Sequence, residues 1–230
     1  MVGYWIVAAL VAAAVVSVIV AGTIPNPPRR QRPLRWVVLA ASDAAPGPDG
    51  PTWPELVVAD LAPASIELRN ASVGALTIDL ADRELPVILA EEFEIATVWL
   101  AINDLVAGRP LPDYLGDLDR LLGALAQPGR SLAVGNVPDL ATVPLLATLV
   151  DLEALRAACL RWNDGIAAVA AVHGAAVIDL SGRPVTADDL APDGFHPSRA
   201  GQRRLAAAFG PWVAAQASAQ QVVARRPPAH

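Results

Sequence analysis

The chain of 230 residues has no lysine, one cysteine, one methionine, three histidines and only 5% aromatic residues. The single cysteine, Cys159, excludes an intrachain disulfide, and beside only His173, His196 and His230 it makes a structural zinc cage untenable. All seventeen basic residues are arginine. Six of them (Arg29, Arg30, Arg32, Arg35, Arg225 and Arg226) lie in the flanks, whereas all twenty-three acids fall between Asp43 and Asp193. Residues 36–220 therefore set eleven arginines against twenty-three acids, a net charge of −12. A body so acidic repels phosphate backbones, which argues against nucleic acid as a partner.

Charge of either sign is missing from residues 2–28, and residues 2–21 are almost wholly Val, Ala, Ile and aromatic. That run is long enough to cross a hydrocarbon core as a helix. Residues 1–24 are accordingly expected to form a transmembrane anchor or signal segment. The missing basic n-region speaks against a cleaved signal peptide, and the length speaks against a buried core helix. The arginines that follow bias the body toward the cytoplasmic face of a single-pass membrane protein, with a cleaved secretory signal as the alternative. A proline- and arginine-rich linker, 25–34, reads as an extended spacer.

With 54% hydrophobic residues the remainder can bury one good-sized core, expected over 35–217, and residues 218–230 read as a disordered tail. Short apolar runs alternate with amphipathic stretches, the pattern of a parallel sheet covered by helices on both faces. Strands are predicted at 35–41, 65–70, 95–102, 131–135 and 175–180, and helices at 51–61, 74–89, 113–126, 151–173 and 197–215. Within the fourth helix Leu155, Cys159, Trp162, Ile166 and Val169 recur at steps of four and three, so Cys159 reads as a core residue. In the last helix Leu205, Phe209, Trp212 and Val213 form the apolar face, and Pro197 is expected in its first turn.

Four stretches carry chemical side chains. The first strand stops on Ser42-Asp43, and in an open parallel sheet the space beyond the carboxyl ends of the strands is where ligands collect. Taken alone, Ser-Asp is an ordinary turn. Asn70-Ala-Ser-Val-Gly74 follows the second strand, and Asn103-Asp104 ends the third, where a turn or helix cap is the plain reading. Near the C-terminus, Asp193-Gly-Phe-His196 puts a carboxylate three residues before an imidazole. An acid bonded to one ring nitrogen fixes the tautomer and leaves the other nitrogen free, as a general base requires.

Together, and in this order, these stretches resemble the SGNH or GDSL hydrolase family of esterases and lipases. Ala40-Ala41-Ser42-Asp43 is similar to a minority Gly-x-Ser-Asp form of the first block, Gly74 matches the glycine of the second, Ala101-Ile-Asn103-Asp104 the Gly-x-Asn-Asp of the third, and Asp193-x-x-His196 the last. Weaker likenesses lie at Gly135-Asn-Val-Pro-Asp-Leu and at Trp162-Asn163. The resemblance implies an α/β fold, a three-layer α/β/α flavodoxin-like domain with a five-stranded parallel sheet. It implies Ser42 as nucleophile, His196 as base oriented by Asp193, and an oxyanion hole from the N–H groups of Ser42 and Gly74 and the Asn103 amide, with no cofactor and no metal. The expected activity is hydrolysis of small acyl or acetyl esters, or of lysolipid-type esters, by a monomer. The alternatives are an acyltransferase using the same triad and a tethered binding protein that keeps the fold without turnover. Alanine replaces the motif glycine at Ala40 and Ala101, and a need for positive φ there would strain the hole by roughly 1 kcal/mol.

Overall fold

A computed structural model describes residues 32–47 and 50–225. The predicted anchor at 1–24, most of the linker and the last five residues lie outside them. Among the described residues no helix is long and apolar enough to cross a membrane.

Five parallel strands, β1 (Leu34–Ala40), β2 (Ile66–Asn70), β3 (Ile95–Trp99), β4 (Ser131–Gly135) and β5 (Ala176–Ile178), stand in the order β2-β1-β3-β4-β5. Register runs from Leu34 opposite Ile66 on one side of β1 to Ala40 opposite Trp99 on the other. Strand order reverses at β1, so its carboxyl end opens onto the crevice that such sheets use for ligands.

The interior strand β1 is buried on both faces, and its period of two sorts its side chains between two cores. Trp36, Val38 and Ala40 face α1 (Trp53–Asp60) and α7 (Arg199–Arg225), packing with Trp53, Phe209 and Val213. Trp53 stacks on Phe209 with ring centroids 4.1 Å apart. Val37 and Leu39 face the other layer, α4 (Leu111–Leu125) and α6 (Leu152–Val172), with Leu118, Leu122, Trp162 and Ile166. Cys159 is buried in that layer as its spacing predicts. A buried polar pair inside the sheet is satisfied, because the Trp36 indole N–H donates to Thr97 Oγ1 at 2.9 Å. Arg35, counted above with the flanking arginines, instead binds Glu94 through both its backbone and guanidinium, tying β1 to the entry of β3.

Several predicted elements shift. The third strand ends at Trp99 and not at Ile102, because Ala101–Val106 winds into a helix, α3, that begins two residues later. A continuous apolar run does not distinguish buried strand from buried helix. The predicted helix over 74–89 is a turn at Gly74-Ala75, a 3-10 turn (Leu80–Arg83) and the short α2 (Leu85–Leu89). Ala75 there adopts φ 56°. A further short helix, α5 (Pro144–Ala147), follows β4. The last helix starts at Arg199, since Pro197 is held in a bridge to Leu190 and Ser198 Oγ accepts from the Ala200 and Gly201 N–H groups as the cap. It continues to Arg225, past the tail boundary expected at Ser218.

Candidate active site

The nucleophile candidate sits where β1 turns away from the sheet. Beyond Ala40, the N–H groups of Ala44 and Ala45 both donate to the Ala41 carbonyl at 3.1 Å, forming a tight turn with Ser42 near its start. From the other side of the cleft comes the segment between β5 and α7. It is closed by Ala191 N–H donating to His196 O (2.7 Å) and Ser198 N–H donating to Asp189 O (2.7 Å), with Gly194 at φ 74°. Gly201 permits this closeness, since a Cβ there would fall 2.1 Å from Asp189 O.

Three side chains then line up. Asp193 Oδ2 lies 2.7 Å from His196 Nδ1, and His196 Nε2 lies 3.1 Å from Ser42 Oγ. Asp193 Oδ1 accepts from the N–H groups of Phe195 (2.9 Å) and His196 (3.0 Å). The Phe195 N–H, then the His196 ring and N–H, hold the Asp193 carboxyl down to about 2. An ionised carboxylate at Nδ1 can only accept, so Nδ1 carries the ring proton and Nε2 offers its lone pair to the Ser42 hydroxyl. Side-chain exposure of about half for His196 (46%) and Asp193 (51%) leaves the pair reachable from solvent.

Ser42, Asn103 and His196 line one cavity of about 130 Å³ whose other walls are mainly apolar, among them Trp99, Leu140, Val143, Leu180 and Leu205. Asn103 stands in the first turn of α3, where its Nδ2 donates to Leu76 O at 3.0 Å. An amide nitrogen has two hydrogens, so a second remains for the cavity. Its neighbour Asp104 is fully buried, accepts from Ile78 N–H at 3.0 Å, and lies 3.5 Å from Arg109, which also reaches Asp79 and Asp117. Burial pushes the Asp104 carboxyl up to about 6 against the pull of the Ile78 N–H and Arg109. Asn103 and Asp104 thus hold the 76–78 loop between them. Gly74 is in the exposed turn just before that loop and does not line the cavity.

The alanines at the motif glycine positions fit without strain. Ala40 pairs in regular strand register and Ala101 is the first residue of α3; among the described non-glycine residues only Ala75 has positive φ. His173, set apart from the site by sequence, ends α6 and bonds Asp119 at 2.8 Å. No group of three or more His, Cys, Asp or Glu side chains among the described residues could hold a metal ion.

Three polar residues at the site have surroundings that the sequence does not reveal, although Asp43 and Asn70 stand in two of its four chemical stretches. Asn70 and Gln202 bond the backbone of the Ser42 turn, as described below. The third is the carboxyl of Asp43, whose Oδ2 is shut off from solvent with no hydrogen-bond partner among the described residues, although the residue as a whole keeps some exposure. Burial pushes this carboxyl up to about 7, opposed by its own N–H and by the charge of His196. Such a group keeps its proton in the folded state while the unfolded chain gives it up, so its contribution is full below the ordinary carboxylate range and is lost as pH rises through about 7. Asp43→Asn should therefore flatten the fall in stability between pH 5 and pH 8 by about 2 kcal/mol. Urea unfolding at the two pH values measures this, and an unchanged pH dependence would show that Asp43 does not titrate there.

The family model for the GDSL-like lipase/acylhydrolase family matches residues 39–204. Among solved structures, the fold is similar to a lipase/acylhydrolase from Enterococcus faecalis (21% identity, TM-score 0.65, covering 80% of this chain and 97% of that one). It is similar also to a psychrotrophic esterase from Pseudoalteromonas sp. (17%, TM-score 0.61, 77% and 98%) and to an acetyl xylan esterase from Geobacillus stearothermophilus (18%, TM-score 0.61, 76% and 92%). At these identities the structural likeness speaks for the fold alone. None of the curated proteins matches the chain.

Proposed function

Because the chain belongs to the GDSL-like lipase/acylhydrolase family, we propose that it hydrolyses small acyl or acetyl esters through an acyl-enzyme on Ser42. The observation that carries this reading is the unbroken relay Asp193–His196–Ser42, with contacts of 2.7 and 3.1 Å. His196 Nε2 takes the hydroxyl proton as Ser42 Oγ attacks the ester carbonyl carbon. The same proton then passes to the leaving alcohol, and water attacks the acyl-enzyme with His196 again as base. Asp193 stays ionised throughout and stabilises the imidazolium that forms between the two transfers.

Negative charge on the former carbonyl oxygen would be met by the second Asn103 N–H and by the backbone N–H groups of Ser42 and Gly74, each such donor being worth about 3 kcal/mol in a tuned site. The apolar walls and modest volume of the cavity favour a short acyl group over a long one. No step draws on a metal or an organic cofactor.

The test is hydrolysis of 4-nitrophenyl acetate, butyrate and palmitate across pH. The reading expects turnover of the two short esters well above that of palmitate. It also expects an acid limb, because a protonated imidazole cannot accept the serine proton. Asp193 cannot supply that limb, since its carboxyl loses its charge only near pH 2. Absence of hydrolysis by the folded protein would favour a binding role.

A further inference from the structure

The turn that carries Ser42 is held by two side-chain amides from different elements, β2 and α7. Asn70, the last residue of β2, donates through Nδ2 to Ala44 O at 2.7 Å, while its Oδ1 accepts from Ser72 N–H at 3.1 Å. Gln202, in the first turn of α7, donates through Nε2 to Asp43 O at 2.9 Å, while its Oε1 accepts from Trp53 N–H, at the start of α1, at 2.7 Å. The two are built alike. Each amide nitrogen holds a carbonyl of the turn, and each amide oxygen is anchored on a backbone N–H, that of Trp53 at the start of α1 for Gln202 and that of Ser72, two residues further along the chain, for Asn70. An amide bonded at both ends has only one orientation that satisfies its partners, so neither can flip without leaving a donor or an acceptor unpaired.

Gln202 has a further consequence for the relay. It lies six residues after His196, and its own N–H donates to Ser198 O at 2.8 Å within the cap of α7. The segment 196–202 therefore touches the nucleophile turn twice, through His196 Nε2 on Ser42 Oγ and through Gln202 Nε2 on Asp43 O. These two contacts and the short stretch of chain between them form a closed loop. Within it the separation of base and nucleophile follows from a helix cap and one amide bond. Asn70 holds the next carbonyl of the same turn, that of Ala44, so the turn is tied at two successive peptides.

We propose that Asn70 and Gln202 are positioning residues that keep the Ser42 hydroxyl in line with His196, acting on the backbone carbonyls of Asp43 and Ala44. The proposal rests on Ser42 being the nucleophile. It concerns geometry at the reacting oxygen, where a displacement of about 1 Å costs on the order of a hundredfold in rate.

Carboxylate variants separate the two halves of each amide. Gln202→Glu and Asn70→Asp keep an oxygen for Trp53 N–H and Ser72 N–H but lose the donor to the turn. Both should fold, and both should lower kcat for 4-nitrophenyl butyrate by about 10- to 100-fold with KM little changed. Labelling of Ser42 by a fluorophosphonate should slow by the same factor, while the acid limb of the pH profile is compared in Gln202→Met, which adds no charge near His196, and should stay in place there. Gln202→Met, which loses both halves, should show the same kcat defect together with a lower melting temperature. It serves as the second variant should the introduced carboxylate prevent folding. A folded Gln202→Glu or Gln202→Met protein that turns over and labels within twofold of wild type overturns the proposal. So does a defect confined to KM, or a displaced acid limb in the uncharged Gln202→Met protein, which would mean that Gln202 acts on substrate or on His196. If the wild-type protein fails to label at Ser42, the nucleophile assignment has failed and the positioning proposal falls with it.

Discussion

Replacing Ser42 by alanine is expected to lower kcat for a short-chain nitrophenyl ester by about six orders of magnitude while leaving the fold intact. The effect is this large because the whole relay converges on one oxygen. Without Oγ, His196 has no proton to accept and no acyl-enzyme forms, so the remaining activity comes from water oriented by the cleft and by oxyanion donors. Stability should change little, since Ser42 is part-exposed and, among the described residues, its side-chain hydroxyl has one hydrogen-bond contact, at 3.1 Å to His196. Steady-state kinetics beside a thermal melt decide the matter. A folded variant retaining even a hundredth of wild-type turnover would place the nucleophile elsewhere.

Asp193→Asn is expected to cost about four orders of magnitude in kcat, through a tautomer and not through lost structure. In the wild-type protein Oδ1 caps the Phe195 and His196 N–H groups and Oδ2 accepts from His196 Nδ1. An asparagine keeps the backbone caps only by turning its carbonyl oxygen toward them, which points its NH2 group at Nδ1. That nitrogen must then accept, the ring proton moves to Nε2, and Nε2 can no longer receive the proton of Ser42. The loop should keep its shape, because its caps survive, so circular dichroism and melting should match wild type. Turnover within tenfold of wild type would mean that His196 is oriented without the carboxylate.

How much of this was legible in the sequence follows from the range of each interaction. The strands were readable because β1 is buried on both faces and the apolar runs are bounded by turn residues; the α6 stripe was readable because helical period is local. Asp193 and His196 were readable as a pair because three residues separate them. The helix α3 was hidden, since residues 95–102 are one unbroken apolar run in which strand and helix look alike. The 74–89 region misled for the opposite reason, because amphipathic composition there is met by turns and short helices, and the 76–78 loop before them is held by Asn103 and Asp104 from α3. Asn70 and Gln202 reach the nucleophile turn across 26 and 159 residues of sequence, and neither periodicity nor motif spacing encodes such a contact. Alanine at positions 40 and 101 raised an expectation of strain that only backbone angles could answer.

The central claim, that Ser42 is an activated nucleophile, is tested most directly by covalent labelling. The full-length protein is treated near neutral pH with fluorophosphonates of several sizes and digested, and the modified peptide is identified by mass spectrometry. Only a serine beside a base and an oxyanion hole reacts at a useful rate under these conditions. The account predicts a single adduct on Ser42, absent from Ser42→Ala and formed far more slowly in His196→Ala. An adduct on another hydroxyl, or none on the folded wild-type protein with any probe, would contradict it.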